Sequence, residues 1–93
     1  MTSETAISVR ISGRVQGVSF RAWTQSHARS LGLEGWVKNE PDGAVTALIS
    51  GPAAAVAEMV EAFHIGPRWA AVTGVETTPA KPGDVPPGFH ITG

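Results

Sequence analysis

The residues that could do chemistry in this chain gather in Gly13-Arg14-Val15-Gln16-Gly17-Val18-Ser19-Phe20-Arg21. The run before them, Ile7-Ser8-Val9-Arg10-Ile11, alternates apolar and polar residues and reads as a half-buried strand. The run after them, Phe20 to Leu31, reads as a helix, with Ser19 placed to cap its N-terminus. A strand thus feeds a glycine-punctuated loop, and the loop feeds a helix start. The first amides of a helix have no internal partner, and the helix dipole puts partial positive charge there, so the arrangement suits an anion. Gly13 and Gly17 can take positive φ and turn the N–H groups of the loop inward. Arg21, in the first helical turn, carries a planar guanidinium able to clamp two oxygens of a phosphate. Taken alone, the stretch supports an anion site and no more. Many glycine-containing loops bind nothing, many single arginines are solvated charges, and neither a Walker loop nor G-x-G-x-x-G is present.

Other polar residues read as structural. His27 shares an apolar stripe with Phe20, Trp23 and Leu31, widened by Thr24, and is a packing histidine. His64 ends the second helical pattern and complements its dipole. Asp42 is a turn residue, Glu40 a solvated carboxylate and Arg14 a solvated charge. Trp36 and Phe20 are packing aromatics.

The elements that must position the loop follow in order. Gly32 is a left-handed stop for the first helix. Leu33 to Asn39 is a second strand, Glu40-Pro41-Asp42-Gly43 a turn, and Ala44 to Ile49 a third strand, so the two strands form an antiparallel hairpin with Asn39 near its turn. Pro52 takes the first position of a second helix, whose buried face is Val56, Met59, Val60 and Phe63. Trp69 to Thr77 is a fourth strand with a bulge at Gly74. The stretch 78–88 is an irregular Pro- and Gly-rich loop, and Phe89 to Thr92 is a closing strand. This order predicts an α+β, ferredoxin-like (split β-α-β) two-layer sandwich: an antiparallel sheet, two helices on one face and an extra C-terminal strand.

Composition narrows the setting. With 93 residues and 42% hydrophobic content, residues 1–93 form a single domain. The chain has no cysteine, so disulfides, thiolate metal ligands and a cysteine nucleophile are excluded. Met1 to Thr5 has no signal-peptide pattern and no run approaches a membrane span, so the expectation is a cytoplasmic protein without a membrane partner. The formal net charge of −1, with Arg10, Arg14, Arg21, Arg29 and Arg68 scattered, speaks against nucleic acid as a partner.

Together with the Gly13–Arg21 stretch, Gly35-Trp36-Val37-Lys38-Asn39-Glu40-Pro41-Asp42-Gly43 completes a pair of motifs. In both motifs, their spacing and the element order, the chain resembles the acylphosphatase family. The resemblance implies a small monomeric hydrolase that splits the carboxyl–phosphate bond of a small-molecule acyl phosphate without metal or organic cofactor. It implies that Arg21 binds the phosphate, that Asn39 positions water, and that the backbone of Val15, Gln16, Gly17, Val18, Ser19 and Phe20 forms the phosphate cradle. Neither motif supplies a good general base, so the substrate's own phosphate is expected to take the proton. Three departures stand out: Thr46 lies where many relatives carry glutamate, the last strand ends at Gly93 without the terminal aromatic common in the family, and the 78–88 loop is longer than usual. Two rival functions remain. The same cradle would serve a non-catalytic phosphate sensor, and split β-α-β domains also bind RNA, although the aromatic-rich strands used for that are missing here.

Overall fold

A computed structural model describes residues 4–93. Its elements are β1 (Glu4–Arg14), α1 (Phe20–Ser30), β2 (Glu34–Asn39), β3 (Val45–Pro52), α2 (Ala53–Ile65), β4 (Ala71–Ala80), a single 3-10 turn at Pro82–Asp84, and β5 (Phe89–Ile91). The strands form one sheet in the order β4-β1-β3-β2-β5. On one face of that sheet Val9 and Ile11 of β1, Val37 of β2, Val45 and Ile49 of β3 and Phe89 of β5 meet Phe20 and Ala28 of α1 and Val56, Met59 and Phe63 of α2. Burial of these side chains in a single cluster is what holds both helices on that face. α1 lies over β2 and β5, and α2 over β4, β1 and β3.

The ferredoxin-like reading is correct, and the structure refines its sheet. β1, β3, β2 and β4 pair antiparallel, but β5 runs parallel to β2, so the sheet is mixed. Topology forces this. β4 ends beside Ala6 at one end of the sheet, and β5 begins beside Gly35 at the same end. The segment 81–88 crosses that end from one edge to the other, so β5 leaves in the opposite direction to β4, which is the direction of β2.

Several boundaries differ from the sequence reading. β4 runs on through Ala80, which takes Thr78, Pro79 and Ala80 out of the expected 78–88 loop. Pro79 is tolerated because β4 is an edge strand. The irregularity expected at Gly74 lies next to it. Ser12 pairs with Gly74 and Gly13 with Val72, which leaves Thr73 as the extra residue. Gly13 sits there at φ 116°, where a Cβ would fall 2.2 Å from the Ala71 carbonyl oxygen. Pro52 ends β3 and stands just outside α2, not at its first position.

On α1 the buried stripe is Phe20, Thr24 and Ala28, while Trp23, His27 and Leu31 are half-buried at its flank. Gly32, at φ 72°, ends α1 as expected: its N–H donates to the Arg29 carbonyl, and the Leu33 N–H donates back to the Ala28 carbonyl. Among the described residues, no helix is long and apolar enough to cross a membrane.

Candidate active site

β1 delivers the chain at Arg14, and the fully buried Val15 pins the loop that follows. Two left-handed residues then shape it: Gly17 at φ 75°, and Ser19 at φ 62° and ψ 25°. Among the described residues Ser19 alone takes positive φ without being glycine. Ser19 does not cap α1 with its hydroxyl, contrary to the sequence reading. Its left-handed backbone carries the side chain away from the first-turn amides, and its carbonyl accepts the Trp23 N–H at 3.0 Å instead. A Cβ on Gly17 would meet nothing within 4 Å, so the loop opens there onto free space.

That space is a cleft of about 400 Å³. Val15, Gly17, Ser19, Phe20, Arg21 and Ala22 line it from the loop and the start of α1, Asn39 from the end of β2, and Ile91 from β5. Arg21 and Asn39, 18 positions apart in a chain numbered 1–93, therefore share one cavity. Of the expected cradle, Gln16 and Val18 do not line it. Val18 packs against the core, and the Gln16 side chain is turned to the hairpin, donating to the carbonyls of Glu40 at 2.8 Å and Ala44 at 2.9 Å.

Asn39 reaches the cleft through register. It lies opposite Val45, two residues beyond the fully buried Val37, so it occupies the helix-covered face of the sheet at the sheet's end. The Gly93 carbonyl oxygen accepts from the Arg21 guanidinium and, at 3.3 Å, from the Asn39 backbone N–H, which ties both residues to the strand end. This tether, Ala22, Ile91 and the Gln16 contact escaped the sequence reading. Only Ile91 left a trace, through its alternation with Phe89.

Polar groups around the turn are engaged with one another. The Arg10 guanidinium pairs with Asp42, whose other oxygen accepts the Ala44 N–H at 3.1 Å. The Ala44 N–H, and behind it Arg10, hold the Asp42 carboxyl below its ordinary range. Glu40 is not a solvated carboxylate as expected: it is half-buried, accepts the Thr46 hydroxyl at 2.6 Å and lies 3.7 Å from Lys38 Nζ. His27 packs edge-on against Trp23 with centroids 5.5 Å apart, and His64 is exposed on the last turn of α2. Neither reaches the cleft. Among the described residues no three His, Asp or Glu side chains gather as a metal site.

The arrangement can hold a tetrahedral anion against main-chain donors and a guanidinium, with a neutral amide beside it. Comparison with known proteins places the chain in a family. The sequence profile of the family described as Acylphosphatase matches residues 7–91. The chain is 53% identical over 88 residues to an acylphosphatase of Rhizobium etli, covering 95% of this chain and 94% of that one. It is 55% identical over 84 residues to an acylphosphatase of Rhizobium meliloti, covering 90% and 88%. The crystal structure of an acylphosphatase from Bacillus subtilis superposes with a TM-score of 0.90 at 36% identity, covering 97% of this chain and 99% of that one. Similarity of this extent, along almost the full length of both partners and in fold as well as sequence, has one explanation: the chain belongs to the acylphosphatase family of hydrolases.

Proposed function

We propose that this protein hydrolyses the carboxyl–phosphate bond of small acyl phosphates, with the phosphoryl group held by Arg21 and by amides of the loop residues that line the cleft, Val15, Gly17, Ser19 and Phe20, and with water oriented by Asn39. The observation that carries the reading is that Arg21 and Asn39 line the same cleft as the loop. An acyl phosphate has a good leaving group, so acid assistance is dispensable. The difficulty lies in bringing a nucleophile up to an anionic phosphoryl group, which is a matter of positioning and charge stabilisation. Loop amides and the guanidinium neutralise the equatorial oxygens. Asn39 accepts a hydrogen bond from water and donates one, but is far too weak a base to deprotonate it. The water oxygen attacks phosphorus, the bond from phosphorus to the acyl oxygen breaks, the electron pair leaves with the carboxylate, and the water proton passes to a phosphate oxygen. No cofactor enters this scheme.

Phosphate release from benzoyl phosphate is the test. Loss of one such donor costs about 3–4 kcal/mol in comparable sites, so Arg21→Gln is expected to lower kcat/KM by about a hundredfold or more and to weaken inhibition by inorganic phosphate. Asn39→Ala is expected to lower kcat while leaving phosphate inhibition nearly intact. Variants as fast as the parent would sink these roles. Calorimetric binding of phosphate by a parent without turnover would favour the sensor reading instead. We propose a monomer as the working unit, and a cysteine-free composition fits a reducing compartment such as the cytoplasm.

A further inference from the structure

We infer that Gln16 is a positioning residue whose side-chain amide sets the separation between the phosphate cradle and Asn39; the inference rests on the hydrolase reading above. Cradle and hairpin are distant in sequence, and Gln16 spans 24 residues to Glu40 and 28 to Ala44. Both bonds come from one nitrogen, Nε2, at 2.8 and 2.9 Å. Their acceptors are the carbonyls at the two ends of the turn that directly follows Asn39. The turn's own hydrogen bonds use the same carbonyls: the Glu40 N–H donates to Ala44 at 2.8 Å, and the Gly43 N–H donates to Glu40 at 3.1 Å. Gln16 is thus built into the turn as an extra member, and any movement of the loop drags the turn with it. The ion pair between Arg10 of β1 and Asp42 also ties the turn to the sheet. Gln16 is half-buried and does not line the cleft, so its side chain acts through Asn39 and not on the substrate.

This division has a kinetic signature. Phosphate binding uses Arg21 and the amides of the loop residues that line the cleft, and the Gln16 side chain bonds instead to the carbonyls of Glu40 and Ala44. In-line attack requires the water on Asn39 to stand within about 3–3.5 Å of phosphorus, and a misplacement of about 1 Å can cost a hundredfold. Gln16→Met, of similar size but without donors, is therefore expected to lower kcat by about tenfold to a hundredfold. Inhibition by inorganic phosphate should stay within about threefold of the parent. Because Asn39 is already misplaced in that variant, adding Asn39→Ala should cost much less than it costs in the parent. Gln16→Asn, which keeps the amide but is one methylene short, should resemble Gln16→Met and provides the test if the latter folds poorly. An unchanged kcat in both variants overturns the inference, as do effects of Gln16→Met and Asn39→Ala that simply multiply. A parent that binds phosphate yet releases none from any acyl phosphate overturns the hydrolase reading and this one with it. A parent with turnover that the Gln16 variants match overturns this one alone.

Discussion

Thr24 and Gln16 carry the two residue-scale lessons. Thr24 is fully buried on α1, and its hydroxyl finds no hydrogen-bond partner among the described residues. A buried polar group left unpaired costs about 1–3 kcal/mol. Thr24→Val keeps the shape and removes the hydroxyl, so it should stabilise the protein by about 1 kcal/mol in urea denaturation. A lower midpoint would mean that the hydroxyl is satisfied after all. The periodicity of α1 points to Phe20, Trp23, His27 and Leu31 as the inner face, because large apolar residues dominate such a pattern. The structure keeps Phe20 innermost but joins it there with the small Thr24 and Ala28, and puts Trp23, His27 and Leu31 at the flank. Gln16 is the complementary case. Its place in the loop was legible, but the direction of its side chain was not, since that depends on a turn brought alongside by folding.

At the scale of elements, the β2–β3 hairpin shows how a local signal becomes a fixed position. Pro41, Asp42 and Gly43 made the turn legible, and pairing of Asn39 with Val45 follows from the turn's length. What holds the turn against the sheet is Asp42, bonded to the Ala44 N–H and paired with Arg10. Its carboxyl is held below the ordinary value, so the charged form favours the folded state. That contribution is fully present above the unfolded carboxylate range and is lost as the pH falls through the lower folded value. Urea midpoints taken from about pH 6 down to about pH 3 should therefore fall more steeply for the parent than for Asp42→Asn. Added salt should narrow the difference, because the pair is exposed. Identical slopes would show that the pair does not couple to folding. β4 and β5 were harder to read. β4 is an edge strand whose alternation is broken by the extra residue Thr73, and β5 is three residues long, too short to signal direction.

At the scale of the whole molecule, loop, hairpin and strand end close one cleft, so a ligand held there must stabilise the fold. Inorganic phosphate at about a hundred times its Kd should add about 2.7 kcal/mol, a rise in Tm of about 10–20 °C for a chain of this length. Arg21→Gln should abolish most of that rise, measured against the variant's own ligand-free Tm because the substitution also removes the bond to the Gly93 carbonyl. A rise that survives the substitution would place the anion elsewhere. Element order, the two motifs and the glycine-punctuated loop were set by local chemistry, since strand alternation, helical spacing and turn residues act over a few positions. On that basis the sequence alone determined the fold class and the family it resembles. Long-range packing decided the rest. The approach of Asn39 to Arg21, the hold of Gln16 on the turn, the tether through Gly93 and the parallel entry of β5 all join residues far apart in the chain. Their geometry follows from how two helices settle on one sheet face, a property of the packed core that no local window contains.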